Sequence, residues 1–189
     1  MDAEKNAIRT RIRAARAERG LAERAAADAA IAERGLALIE ARRARTLACY
    51  LSSPSEPPTR ALIAAAADRG IRVLLPLARA GRVLDWAEHA GAERMTPLGV
   101  PEPTGAPLGP DAVDQADIVL APACAVDSAG FRLGWGGGYY DRALSGPAGG
   151  IPAFAVLYDS EVVARVPHEA HDVAVSGVLT PTRTLTFDR

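Results

Sequence analysis

Thr46-Leu47-Ala48-Cys49-Tyr50-Leu51 and, one turn-and-helix later, Ile71-Arg72-Val73-Leu74-Leu75-Pro76 set the architecture of this chain. Both are short apolar runs of strand length. Between them, Ser52-Ser53-Pro54-Ser55-Glu56-Pro57-Pro58-Thr59 forms a loop whose prolines suit the entry to a helix. The alanine-rich run through Ala61-Leu62-Ile63-Ala64-Ala65-Ala66-Ala67 is that helix, and Gly70 is a natural C-cap. A strand, a helix and a strand in about thirty residues make a βαβ unit, hence a parallel sheet with a right-handed crossover. In such sheets ligands bind beyond the carboxyl ends of the strands, where the Ser52–Thr59 loop lies.

Outward from this unit, further strands are predicted at Arg82–Ala87, Asp117–Pro122, Pro152–Tyr158 and Val175–Thr180. Asp117–Pro122 is a near-continuous apolar run, as a sheet covered on both faces requires. Met95–Pro110, rich in proline and glycine, reads as irregular. Trp86 either lines a ligand pocket or packs in the core, with the core favoured. Upstream, Ala3–Arg19 reads as one helix and Leu21–Arg43 as a second, with a bend expected near Gly35. The expected fold is α/β, a three-layer α/β/α arrangement around a mostly parallel central sheet. One domain spans 1–189, with N-terminal helices over about 3–43 and the α/β body over about 46–189.

With 189 residues, 49% of them apolar, the chain can fill one core. A formal net charge of −1 argues against a dedicated nucleic-acid or membrane-surface protein. Cys49 and Cys124 are far apart, lie in apolar runs and lack metal spacing, so they read as buried free thiols in a reducing compartment. No secretory signal or transmembrane run is visible. The expectation is a cytoplasmic monomer.

The chemistry is concentrated in Gly130-Phe131-Arg132-Leu133-Gly134-Trp135-Gly136-Gly137-Gly138-Tyr139-Tyr140-Asp141-Arg142. Glycine packs nothing and is costly to order, so such a run belongs where backbone takes positive φ or a ligand comes close. Consecutive N–H groups without side chains make a concave anion site, though a plain flexible turn has the same composition. The spacing is neither a Walker loop nor a Rossmann fingerprint. Lys5, Arg9, Arg13 and Arg16 fall on one side of the first helix, either solvated or facing an anion.

The run Arg132 through Asp141 resembles, without a gap, the signature of the 5-formyltetrahydrofolate cyclo-ligase family. Lys5-Asn6-Ala7-Ile8-Arg9 is similar to its N-terminal Lys-x-x-x-Arg pair. Leu51 and Glu56 keep the spacing of its Leu-Ser…Glu-x-x-Thr segment, and Gly99-Val100-Pro101-Glu102-Pro103 resembles its Gly-Ile-x-Glu-Pro element. Asp127 matches, but Val126 stands where the family usually has phenylalanine. Val166-Pro167-His168-Glu169-Ala170-His171-Asp172-Val173 resembles its Pro-x-Glu-x-His-Asp segment.

The resemblance implies an ATP- and magnesium-dependent enzyme on a sheet like that of sugar-phosphate isomerases and coenzyme A transferases. Its reaction closes 5-formyltetrahydrofolate to 5,10-methenyltetrahydrofolate through a phosphorylated formyl group, releasing ADP and phosphate. It implies Arg132 and Asp141 as catalytic residues. For ATP it implies Lys5, Arg9, Arg132, Leu133, Gly134, Trp135, Gly136, Gly137, Gly138, Tyr139 and Tyr140. For the folate it implies Leu51, Glu56, Trp135, Gly136, Gly137, Gly138 and Tyr139, and for magnesium Asp141 and Asp172. Glu102 receives no role. Of the two tyrosines, Tyr140 better suits a buried core ring. His168 and His171 would make a transition-metal pair, but without a third nearby ligand the hard oxygen donors Asp141 and Asp172 favour magnesium. Two alternatives stay open: a non-catalytic nucleotide- or folate-binding regulator of the same fold, and an isomerase-like enzyme using a carboxylate base.

Overall fold

The computed structural model describes residues 1–97, 99–145, 150–169 and 172–187. Two helices lead: α1, Asp2–Ala17, and α2, Leu21–Ala41. The βαβ unit follows as β1, Thr46–Ala48; α3, Arg60–Asp68; and β2, Arg72–Arg79. Next come β3, Val83–Glu88; β4, Glu93–Met95; and β5, Pro101–Pro103. A 3-10 segment at Pro110–Gln115 precedes β6, Ile118–Pro122. Then come β7, Ala125–Asp127; β8, Arg132–Leu133; and α4, Tyr139–Ala143. The chain finishes with β9, Ala153–Val156; β10, Val162–Val163; β11, Gly177–Leu179; and β12, Thr184–Thr186.

Seven strands form the main sheet in the order β12-β11-β9-β6-β1-β2-β3. The five inner strands are parallel, and each edge is closed by an antiparallel neighbour. Side chains alternate across this sheet as the pleat demands. Leu47, Cys49, Val73, Leu75, Ile118 and Leu120 face one side, under Ile31 and Ile39 of α2 and Leu62 and Ile63 of α3. Ala48, Leu74, Val119 and Ala121 face the other, under Trp86, the Pro110–Gln115 segment and α4. The small residues on the second face let that thinner cover sit close. The expected mostly parallel central sheet is present; its second cover is made of short pieces rather than long helices. Among the described residues no helix is long and apolar enough to cross a membrane.

Helix α3 ends as anticipated. Gly70 has φ 74°, its N–H donates to Ala67 O, and the Ile71 N–H reaches back to Ala66 O. That paired closure satisfies carbonyls the helix cannot use itself. Gly35 serves contact rather than bending: α2 runs through it unbroken, and a Cβ there would stand 2.5 Å from Leu62 Cδ2. Trp86 is a core residue, 1% exposed.

One expectation needs correction, and two features go beyond the sequence reading. The stretch Met95–Pro110 is not wholly irregular, because Pro101–Pro103 pairs antiparallel with Glu93–Met95. The glycine run does not follow the central strand directly. A β7–β8 hairpin intervenes, with β10 parallel to β7, and the run hangs from β8. Asp127 shapes that hairpin: Oδ1 accepts the Ala129 and Phe131 N–H groups, and Oδ2 accepts Val166 N–H, all at 3.0 Å. The cationic stripe of α1, open between solvent and an anion in the sequence, is divided: Arg16 is 1% exposed and sits inside.

Both thiols are buried, as expected. Burial pushes Cys49 up to about 12 and Cys124 up to about 11. In the unfolded chain a thiol ionises near pH 8.5, so between there and the folded values the unfolded state holds fewer protons. Stability is therefore full below about pH 8.5 and falls as pH rises through the folded values. Alkylation by iodoacetamide at pH 8 is expected to leave the native protein unlabelled and to mark both cysteines in denaturant; mass spectrometry checks this.

Candidate active site

A cavity of about 920 Å³ opens over the carboxyl ends of the central strands. Its floor is Tyr50 and Leu51 after β1, Pro76 and Ala78 in β2, and Pro122 at the end of β6. The Ser52–Thr59 loop borders it and is clipped shut. Ser52 and Thr59 exchange N–H-to-hydroxyl hydrogen bonds at 3.2 Å each, and Thr59 Oγ1 donates to Tyr50 O at 2.6 Å. Glu56 is held within this loop by Ser53 N–H, 2.8 Å from Oε2.

The opposite wall is the glycine run. Gly136 and Gly138 have φ of 96° and 69°, conformations glycine takes without strain. Arg132 lies beneath it, its side chain 5% exposed, and donates from Nη2 to Asp141 Oδ1. The Asp141 carboxylate is 64% exposed, and Oδ2 accepts no hydrogen bond from the described residues. Helix α1 covers the run from outside. Ile8 and Ile12 pack on Leu133, Trp135 and Val166, and Arg9 Nε donates to Gly134 O at 3.0 Å.

Arg16 anchors that helix. Its Nε and Nη2 bind both oxygens of Glu161 at 2.6 and 2.7 Å, and Nη2 also donates to Ala123 O at 2.9 Å. Burial alone would lower its pKa, but the hydrogen bond and charge of Glu161 outweigh it, and the guanidinium is held further in its charged form. The guanidinium carbons of Arg13 and Arg16 lie 5.2 and 5.1 Å from the Trp135 ring centroid.

Four residues of the lining each carry a polar atom that is buried away from the cavity surface without a hydrogen-bond partner: Tyr50 Oη, Arg132 Nε, Trp135 Nε1 and Tyr140 Oη. Buried donors are rarely left so. Burial, then the nearby Glu56 charge, raises Tyr50 well above the ordinary phenol range; burial, then Cys49 and Glu56, does the same for Tyr140. Both hydroxyls therefore keep their protons and can donate.

The cavity brings together Leu51, Glu56, Arg132, Gly134, Trp135, Gly137, Gly138, Tyr139, Tyr140 and Asp141. Gly136 and Arg9 sit just behind that wall: a Cβ on Gly136 would stand 3.7 Å from Arg9 Cζ. Lys5 lies one turn before Arg9 on the same helix face. The Leu133 side chain turns into the core, 2% exposed, and its carbonyl accepts the Cys124 N–H. Asp172 is outside the lining, with Oδ2 accepting the Glu169 N–H at 2.8 Å. His168 stacks on Phe131, centroids 3.5 Å apart; His171 lies outside the described residues. Val126, in the phenylalanine position, is fully buried beside Ala155 and Val178.

Sequence reading gave no role to Glu102, yet it is buried on the lining. Its Oε1 accepts Ala78 N–H at 2.8 Å and its Oε2 is 3.5 Å from Arg94 Nη2. The signal was a lone acid between two prolines. Tyr50 was passed over as an ordinary strand residue.

The model of the 5-formyltetrahydrofolate cyclo-ligase family matches residues 1–181. The chain belongs to that family. A 5-formyltetrahydrofolate cyclo-ligase of Mycolicibacterium smegmatis is 39% identical over 145 residues, covering 74% of this chain and 75% of that one. One from Haemophilus influenzae is 31% identical over 178 residues, covering 91% and 95%. The solved 5,10-methenyltetrahydrofolate synthetase of Aquifex aeolicus superposes with a TM-score of 0.81 over 98% of this chain and 93% of that one. At 23% identity that likeness speaks for the cyclo-ligase fold.

Proposed function

We propose that this chain uses ATP and magnesium to cyclise 5-formyltetrahydrofolate to 5,10-methenyltetrahydrofolate, releasing ADP and phosphate. The observation that carries this is the gathering of Glu56, Arg132, Asp141 and the glycines Gly134, Gly137 and Gly138 around one cavity. Family membership supplies the substrate class.

A formyl oxygen on nitrogen is a poor leaving group. Its electron pair attacks the γ-phosphorus of ATP, and ADP departs with the electrons of the broken P–O bond. N10 of the folate then adds to the now electrophilic formyl carbon and loses its proton. The C–O bond breaks, and the oxygen leaves as inorganic phosphate. Positioning and charge neutralisation are the protein's tasks in such a transfer.

The residues suit those tasks. The N–H groups of the glycine run face the triphosphate, with Arg9, Arg132 and Lys5 as its cations. Leu51, Glu56 and Tyr139 hold the folate. Tyr139 offers the ring for pterin stacking, because Trp135 already carries two guanidinium groups. Glu102, buried and fixed by Ala78 N–H, is a second carboxylate in the folate's path.

Magnesium fits the donor chemistry. Among the described residues no three acidic, histidine or cysteine side chains cluster as a metal cage. The protein would then offer Asp141 from the cavity wall and leave the other positions to water and phosphate oxygens, while Asp172, outside that wall, is added by the family resemblance alone. When bound, the ion would neutralise phosphate charge and help align the γ-phosphoryl.

The test is near-ultraviolet absorbance of the methenyl product from purified protein, ATP, magnesium and 5-formyltetrahydrofolate. A rise that needs all three additions is the expected result. No rise, with ATP still bound by calorimetry, overturns the enzyme and leaves a regulatory binding protein. Neither signal overturns the nucleotide site itself.

A further inference from the structure

Arg82 sits at the tip of the β2–β3 hairpin, in the three-residue connection Ala80–Arg82. Its φ is 61°, in the left-handed region where a side chain is strained and glycine is not. Gly81 beside it, at φ 74°, has the residue type that conformation favours. Arg82 does not. Strain of this kind persists where surrounding structure enforces it, often at ligand-binding sites.

The hairpin tip is tied to the glycine run. Arg142, which follows Asp141 in α4, donates from Nη1 to Gly81 O at 2.7 Å. The Arg82 side chain extends across Gly138, and a Cβ there would stand 3.6 Å from its Cδ and Nη1. Arg82 is exposed and makes no hydrogen bond or ion pair with the described residues. Its neighbours behave differently: Arg79 pairs with Asp85 at 3.3 Å, and Arg142 is engaged as above. On the other flank, Arg9 lies against Gly136. Two of the three glycines of positive φ in the run, Gly136 and Gly138, therefore each have a guanidinium laid against them, one from α1 and one from the hairpin.

We propose that Arg82 is a further phosphate-binding residue, reaching the nucleotide's polyphosphate across Gly138 from the hairpin tip. The inference rests on the nucleotide reading of the glycine run given above. A guanidinium with unspent donors beside a concave row of N–H groups is complementary to a polyanion, and it adds bidentate contact the backbone cannot make. Two sources of anion are conceivable, the phosphates of ATP and the glutamate carboxylates of the folate. Gly138 is implied for both ligands, and we choose the phosphates because they carry the denser charge for a guanidinium to meet.

Arg82→Gly is a clean variant, because glycine keeps the turn's positive φ while removing the cation. Arg82→Asn, whose residue type also tolerates this region, is the second variant. Calorimetric titration with ATP and magnesium is expected to show affinity lowered about tenfold in both, the loss of one charge-assisted contact. Thermal melting should be unchanged or slightly raised, and the KM for 5-formyltetrahydrofolate should stay within about twofold. Unchanged ATP affinity in both variants would overturn the inference while the proposed function stands. A loss confined to the preference for polyglutamylated over monoglutamyl folate would overturn it in favour of the carboxylates. No ATP binding by the unsubstituted protein would overturn both together.

Discussion

Asp141→Asn is expected to lower kcat for methenyl formation about a hundred- to a thousandfold, the scale of losing one aimed electrostatic contact. The substitution keeps shape and a carbonyl that can still accept from Arg132 Nη2, but removes the negative charge. The Asp141 side chain is 64% exposed but its partner Arg132 is only 5% exposed, so the fold is expected to survive with a loss of about 1–3 kcal/mol in stability. The measurement is turnover by near-ultraviolet absorbance across a magnesium titration, beside a melting curve. The expected signature is a higher magnesium requirement, with a melt lowered by a few degrees that does not account for the lost turnover. Turnover within about threefold of the unsubstituted protein would remove Asp141 from the magnesium and phosphate machinery, since a true ligand costs far more.

The second large effect is on stability. Glu161→Ala leaves Arg16 charged and 1% exposed with only Ala123 O as acceptor. Breaking a buried pair from one side costs about 3–5 kcal/mol, because the remaining charge is uncompensated. For a chain of this length the melting temperature is expected to fall by about 10 °C or more. The same variant also frees the Tyr158 N–H, which donates to Glu161 Oε2 at 3.0 Å. The double variant Arg16→Met with Glu161→Leu should recover much of the loss, since an apolar pair avoids desolvating two ions. A drop of under about 1 kcal/mol for Glu161→Ala would mean the pair behaves like a surface bridge. Because α1 also carries Lys5 and Arg9, the KM for ATP should rise in Glu161→Ala below its melting temperature.

Most of the sheet was legible because its strands are apolar runs with helices between them. The pairing of Thr46–Ala48 with Arg72–Leu74 follows from a crossover too long for a hairpin. The β7–β8–β10 sheet was not legible. Strands of two or three residues have no periodicity; they exist because Asp127 turns the chain and brings Val166 alongside. The β4–β5 ribbon was hidden by its prolines, which only an edge pairing tolerates.

The site divides the same way. The glycines of Arg132–Asp141 drew attention by composition, because bare backbone in a row suits either an anion or a turn, whereas Lys5 with Arg9 and Leu51 with Glu56 were named only through the family resemblance. Arg16 could not be separated from Arg9 and Arg13 on spacing, since burial depends on Glu161, which is 145 positions away. Nor could Arg82 or Glu102 be chosen, because neither lies in a charged cluster that spells chemistry. The sequence by itself determined a mostly parallel α/β sheet and a glycine-rich loop, since both depend on local residue order. Tertiary structure alone decided which arginines reach that loop and which one locks a helix. Those choices are made by side chains from distant segments that meet only when the core closes.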